Sequence, residues 1–150
     1  MRQLIQLKGL SKNYGKQTVL NPLNLSIAQG EFLTLLEPSG SGKSTTLMML
    51  AGLIKPSGGH IELDGQDITG LPAEMRNFGV VFQGYALFPH MTVAQNVAYP
   101  LRLRKRPATE VKQRVATLLQ RVGLADLGQR RIAQLSGGQQ QRAALARALV

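Results

Sequence analysis

Residues 37–45 concentrate the chemistry of this sequence: Glu37-Pro38-Ser39-Gly40-Ser41-Gly42-Lys43-Ser44-Thr45. They match the phosphate-binding pattern G-x-x-x-x-G-K-[ST] at every position except the first, where Glu37 replaces Gly. Gly40 and Gly42 let successive backbone N–H groups curl around an anion. A helix starting near Lys43 adds its partly positive N-terminus to that cradle. Lys43 supplies an ammonium for outer phosphate oxygens, and the Ser44 hydroxyl suits Mg²⁺. Gly/Ser-rich turns between a strand and a helix are common, but one that ends Gly-Lys-Ser-Thr after an apolar run is not.

A second cluster, Leu135-Ser136-Gly137-Gly138-Gln139, is followed by Gln140-Gln141-Arg142. Ser136 reads as the N-cap of a helix over 137–150, dense in Gln, Arg, Ala and Leu. The N–H groups of Gly137 and Gly138 open that helix and make another anion-receptive terminus. An ordinary Ser-capped helix does not need a Gly pair after its cap.

The elements that must position these clusters can be read from hydrophobic period. Leu23, Leu25 and Ile27 alternate with Asn24 and Ser26 as a half-buried strand does, and Ile61 and Leu63 flank Glu62 before the turn Asp64-Gly65. The compact runs Glu31–Leu36 (EFLTLL) and Phe78–Phe82 (FGVVF) suit buried strands. Lys43–Leu53 reads as a helix, giving the order strand, Gly-rich loop, helix that a phosphate site requires. Val111, Val115, Leu118, Leu119 and Val122 line one face of a further helix, with Thr109 available to cap its start and Gly123 its end. The segment 85–93 is strongly apolar for a loop.

Length and composition bound the alternatives. The chain has 150 residues, 43% hydrophobic, enough for a real core and unlike a disordered tail. It has no Cys, which excludes disulfide scaffolds, Cys-based zinc sites and thiol nucleophiles. His60 and His90 are isolated, with no metal-ligand spacing. The charge-free apolar run Ser44–Ile54 is far short of the roughly 20 residues needed to cross a bilayer, and the N-terminus shows no secretory h-region, so a soluble protein is expected. The formal charge is +10 and is uneven: residues 1–99 carry a net +1 and residues 100–150 a net +9. Such a basic half can mark nucleic-acid or membrane-surface contact, or a piece whose acidic remainder lies elsewhere.

Taken together, the phosphate loop, the LSGGQ run at 135–139 and Val81-Phe82-Gln83 between them resemble the ATP-binding-cassette (ABC) ATPases, in that family's order and over all 150 residues. The resemblance implies an α/β fold of the P-loop NTPase, ABC ATPase type. It would have an N-terminal antiparallel β subdomain, a helical insertion, and a sheet left incomplete because the chain ends early. The expected division is residues 1–84 as β and phosphate-loop core, 85–134 as helical subdomain and 135–150 as signature motif and helix. The resemblance further assigns ATP and Mg²⁺ as cofactors. Tyr14 would stack on adenine, Ser39 to Thr45 would cradle the phosphates, and Ser44 with Gln83 would reach Mg²⁺. Ser136, Gly137, Gly138 and Gln139 would close over ATP held by a second subunit in a head-to-tail dimer. Residues 84–93 would receive a membrane permease, with an external solute-binding protein in the full system and no nucleic acid. The chain would sit peripherally on the cytoplasmic face of the membrane.

The stretch Val80–Leu101 most resembles importer ATPases of the polyamine, sugar, iron and anion group, although Glu is more usual there than Gln95. The family's water-polarising carboxylate and switch His would follow Val150, and Asp64 and Asp67 flank a turn too early to replace them. Two other readings stand beside the importer. One is a short remnant without hydrolysis, and the other is a DNA-associated ABC ATPase that uses the basic half on phosphate backbones. Glu37 bears on the first of these. A carboxylate turned into the loop costs on the order of 1–3 kcal/mol through repulsion and strain. Glu37→Gly is therefore expected to tighten ATP binding, measured by titration calorimetry; equal affinities for the two proteins would refute it.

Overall fold

A computed structural model describes residues 2–36 and 42–150. The chain folds as two compact units divided between Phe78 and Gly79.

The first unit is built on a four-stranded antiparallel sheet of order β2-β1-β3-β4. Its strands are β1 (Gln3–Tyr14), β2 (Gln17–Ala28), β3 (Gly58–Leu63) and β4 (Gln66–Asp67). The alternation at Leu23, Leu25 and Ile27 falls within β2, and Ile61 and Leu63 fall within β3, as their period predicts. β1 hides its period because it is bulged. Leu7 pairs with Leu25 and Leu10 with Leu23, a shift of register around Gly9, whose φ is 59°. Residues three apart on a regular strand face opposite sides, but the bulge returns both Leu7 and Leu10 to the buried face. The Asn24 side-chain carbonyl accepts the bulged Gly9 N–H at 2.7 Å.

Helix α1 (Lys43–Ala51) covers this face, and Met49 completes a core with Leu7, Leu10, Ile61 and Ile68. The following short helix α2 (Ala73–Arg76) ends on a buried guanidinium. Arg76 donates to the carbonyls of Met49 (2.8 Å), Leu50 (2.9 Å), Thr69 (2.8 Å) and Leu71 (2.8 Å). It thereby closes the C-terminal end of α1, where a cation is favoured by the helix dipole. Burial holds its pKa below the ordinary arginine value, with Asp67 opposing that shift.

The second unit is helical. α3 (Val93–Leu103), α4 (Ala108–Arg121) and α5 (Gly137–Leu149) pack through residues spaced one turn apart. These are Val93, Val97 and Leu101 from α3, Val111, Val115 and Leu119 from α4, and Ala143 and Ala146 from α5. Leu118 and Val122 pack against them from the margin, so the apolar face read along 111–122 is the buried one. Gly123, at φ 68°, follows the end of α4 as expected. Thr109 does not cap its start: the helix begins one residue earlier, behind Pro107, which fixes the entry backbone and leaves Thr109 inside the first turn.

Two expectations fail. Glu31–Leu36 and Phe78–Phe82 are not strands. Phe32 is 93% and Leu36 85% exposed, and Val81 and Phe82 are also exposed. A buried parallel strand needs a paired neighbour, and none of the four strands among the described residues pairs with either run. Apolar composition signalled a need for cover without specifying what provides it.

Arg76→Ala would remove one donor from each of four carbonyls, of which Met49 keeps the Gly52 N–H. It is expected to lower stability by about 3 kcal/mol, read as a shifted urea midpoint by circular dichroism. An unchanged midpoint would mean that those carbonyls find other donors.

Candidate functional site

Of the site residues in the first unit, Gly42 to Thr45 form the start of α1. Gly42 is its N-cap, in the left-handed region at φ 90° and ψ 6°. A Cβ there would lie 2.9 Å from the Val19 carbonyl oxygen and 3.2 Å from the Leu20 side chain, so glycine is required by backbone angle and by space. The Gly42 carbonyl accepts both the Thr46 N–H (2.8 Å) and the Thr46 hydroxyl (2.9 Å), and Thr46 is buried. This holds the entry to the helix rigidly. Gly42 supplies no side-chain cap to the helix, and no acid lies in its first turn. At this partly positive helix end Gly42 is buried, Lys43 and Thr45 are half-buried, and Ser44 is exposed. Glu37, Ser39, Gly40 and Ser41 lie outside the described residues.

Tyr14 closes β1 at the Gly15-Lys16 turn, and its ring is 53% exposed. The Lys12 ammonium sits 4.8 Å from the ring centroid and donates to the Lys55 carbonyl at 2.7 Å. The ring is therefore braced by a tethered cation while much of its surface stays open.

In the second unit, Gln83 lies exposed in a turn rather than at the end of a buried strand, because 78–82 forms no ladder. The Phe82 carbonyl accepts the Tyr85 N–H at 2.9 Å, and Tyr85 and Ala86 both take positive φ (61° and 47°). Next, Leu87 packs on the helical core and Phe88 stands 4.7 Å from Tyr99, so neither contributes to an open aromatic patch. Pro89 and His90 remain exposed.

The second cluster forms the start of α5. The Ser136 hydroxyl accepts the Gln139 N–H at 3.3 Å, and the Gln139 side chain accepts the Ser136 N–H at 2.8 Å, a reciprocal capping box. Gly137 and Gly138 are exposed, and a Cβ on either would meet nothing within 4 Å. Nothing described in the chain requires two glycines here, and each weakens a helix by roughly 0.5–1 kcal/mol relative to Ala. The arrangement leaves backbone N–H groups accessible to close approach from outside.

The sequence profile of the ABC transporter family matches residues 20–150. The chain belongs to that family. It is 52% identical over 149 residues to the spermidine/putrescine import ATP-binding protein PotA of Aggregatibacter actinomycetemcomitans, covering 99% of this chain and 40% of that protein. It is 55% identical over 147 residues to PotA of Salmonella typhimurium, covering 98% of this chain and 39% of the relative. It thus spans about 40% of the length of these relatives. Among solved structures, it resembles the dimeric ABC cassette MJ0796 in a post-hydrolysis state bound to ADP and Pi, with a TM-score of 0.86 and 36% identity. A second dimeric structure of MJ0796, a bacterial ABC transporter cassette, gives a TM-score of 0.87 and 37% identity. Each match covers 97% of this chain and 69% of the other. The fold is therefore the ABC ATPase type of α/β domain, here with an open antiparallel sheet.

Within this ABC domain, two positioning side chains escaped the sequence reading. Arg147, in the last turn of α5, donates to the carbonyls of Ala86 (2.7 Å) and Tyr85 (2.9 Å) and lies 5.6 Å from the Phe88 ring centroid. It clamps the two left-handed residues that follow Gln83, and burial lowers its pKa. Asn96 is fully buried and fixes the same segment. Its carbonyl accepts the Phe88 N–H at 2.8 Å, and its amide donates to the carbonyls of Phe88 (3.1 Å) and Thr92 (3.0 Å). A long basic residue late in a helix, or an Asn amid apolar neighbours, carries no local mark of such a role. Gln95 is less unusual than its type suggests: it completes a capping box with Thr92, as Glu would. Arg147→Ala is expected to raise amide exchange across 84–88 by about tenfold while leaving α4 protected. Unchanged exchange would show that Asn96 alone holds the segment.

Proposed function

We propose that this chain is the nucleotide-binding part of an ABC import ATPase, in which ATP binding drives two copies together head to tail. The observation that carries the reading is a pair of helix N-termini opened by glycine. One is at α1, opened by the left-handed Gly42, and the other is at α5, where Gly137 and Gly138 leave room for close approach. The identities with PotA and with a cassette solved as a dimer with ADP and Pi support it.

In this reading the N-terminus of α1 and the Lys43 ammonium bind the phosphates. The Ser44 hydroxyl would hold Mg²⁺, which shields phosphate charge when bound. Tyr14, braced by Lys12, offers a face for the adenine ring. Ser136 to Gln139 of one copy close over nucleotide held by the other. Hydrolysis requires a carboxylate that orients water, and none of the residues assigned here supplies it. Their work is binding and closure. The exposed part of 84–93 receives a membrane permease subunit, Arg147 and Asn96 holding its backbone in shape. A solute-binding protein acts outside, and the chain lies peripherally on the cytoplasmic face. No helix among the described residues is long and apolar enough to cross a membrane.

Light scattering after gel filtration, with ATP and Mg²⁺ or with EDTA, tests the reading. The unaltered chain is expected to shift to dimer mass only with ATP and Mg²⁺. Lys43→Ala should weaken binding of a fluorescent ATP analogue at least about tenfold, the loss of a charge-assisted contact. Gly138→Val should keep analogue binding and lose the dimer. Equal analogue binding by the Lys43→Ala protein would overturn the assignment of the α1 site.

A further inference from the structure

The connection between α3 and α4 concentrates charge as no other surface segment does. Arg102, Arg104, Lys105 and Arg106 are all exposed, as is Leu103 at 65%. The turn itself enforces this display. Arg104 N–H bonds the Pro100 carbonyl (3.2 Å), Lys105 N–H that of Arg102 (3.0 Å) and Arg106 N–H that of Leu101 (3.0 Å). Lys105 takes φ 53°, and Pro107 then starts α4. The chain reverses within a few residues, so consecutive side chains fan out from one tip instead of lying along a helix face.

Among the described residues no carboxylate is paired with these cations, although Asp126 lines the same groove as Arg102 and Arg106. No carboxylate occurs between Glu74 and Glu110, and Glu110 pairs with Arg114 at 3.2 Å. Among the described residues, none of the four tip cations forms an ion pair. An exposed leucine in the middle of the group is unfavourable in water, yet at a bilayer interface it can enter the headgroup layer while long basic stems reach the phosphates.

We infer that the α3–α4 tip, Arg102 to Arg106, is a contact site for an anionic lipid bilayer, with the four cations on headgroup phosphates and Leu103 inserted between them. Charge complementarity and the central Leu103 favour this partner over nucleic acid, whose backbone offers Leu103 no apolar layer. Arg102 and Arg106 also border a groove of about 880 Å³ between α3 and α4. An acidic peptide is accordingly the rival occupant that the test must separate. The site is distinct from the nucleotide site, and the experiment uses no nucleotide, so its failure leaves the ATP reading untouched.

Flotation of the whole chain with phosphatidylcholine vesicles, with and without roughly 30 mol% phosphatidylglycerol, reads binding free of sedimenting aggregate. Binding is expected only to the anionic vesicles and should fall steeply between about 0.1 and 0.5 M salt. Each basic residue near such a surface contributes roughly fivefold. The quadruple variant Arg102→Gln, Arg104→Gln, Lys105→Gln, Arg106→Gln should therefore bind at least about a hundredfold more weakly. A control with Lys16, Lys55, Arg121 and Arg130 changed to Gln has the same net charge and should lose far less. Leu103→Ser should weaken binding about three- to tenfold at unchanged charge. Circular dichroism checks that each variant is folded. Equal binding to neutral vesicles, equal losses in tip and control variants, or no effect of Leu103→Ser would each overturn the inference. So would binding of single-stranded DNA or polyglutamate that is at least as tight and depends on the same four cations.

Discussion

The first unit depends on a cation buried in an apolar interior. A guanidinium withdrawn from water is costly unless its donors are engaged, and Arg76 meets that condition by donating to four backbone carbonyls. Two of those carbonyls belong to the last turn of α1, where Arg76 adds a donor to Leu50 and a second one to Met49, which also accepts the Gly52 N–H. The same contact ties α1 to the segment 69–71 that follows β4. A helix whose C-terminal end is held by a buried cation cannot swing its N-terminal end freely. The geometry at Gly42, Lys43 and Ser44 is thus set partly from the far end of the helix. Charge runs consistently along α1, with a cation at its negative end and no acid in its first turn.

The second unit uses arginine differently. Arg147 sits at the end of α5 but spends its donors on Tyr85 and Ala86 instead of on the carbonyls of its own helix. That choice links the two ends of α5 to two different tasks. At one end Ser136 and Gln139 cap each other and set the direction of the Gly137 and Gly138 N–H groups. At the other, the guanidinium fixes two residues with positive φ, a conformation that alanine and tyrosine adopt only when the surroundings hold them there. One rigid helix thereby carries the signature residues and shapes the turn that bears Gln83.

Legibility followed the range of the interactions. The Ser136 cap, α1 and the buried face of α4 rest on contacts within a few residues, and their period or spacing announces them. β1 did not announce itself, because the bulge at Gly9 breaks the alternation that would have marked it. The apolar segment after Gln83 was half readable. Its hydrophobic character was plain, but that Leu87 and Phe88 turn inward depends on Asn96, Tyr99 and Arg147, all distant in sequence from that turn or indistinct in type. Glu31–Leu36 and Phe78–Phe82 mark the limit of composition as a guide. Strand formation is a property of a pair, and an apolar run with no ladder partner among the described residues stays irregular whatever its propensity.

The glycines sharpen this distinction between internal and external causes. At Gly42 a side chain would collide with Val19 and Leu20 of the same unit, and the left-handed backbone disfavours any other residue. The need for glycine there is complete within the fold, and a stability measurement would detect its loss. At Gly137 and Gly138 the backbone is helical and the space around each is empty, so alanine would suit the isolated chain better. A residue choice that weakens a helix and relieves no contact among the described residues suits the closure proposed above, in which a second copy comes close to that backbone. The first kind of glycine describes how the site is built. The second leaves space at the backbone that the proposed closure would use.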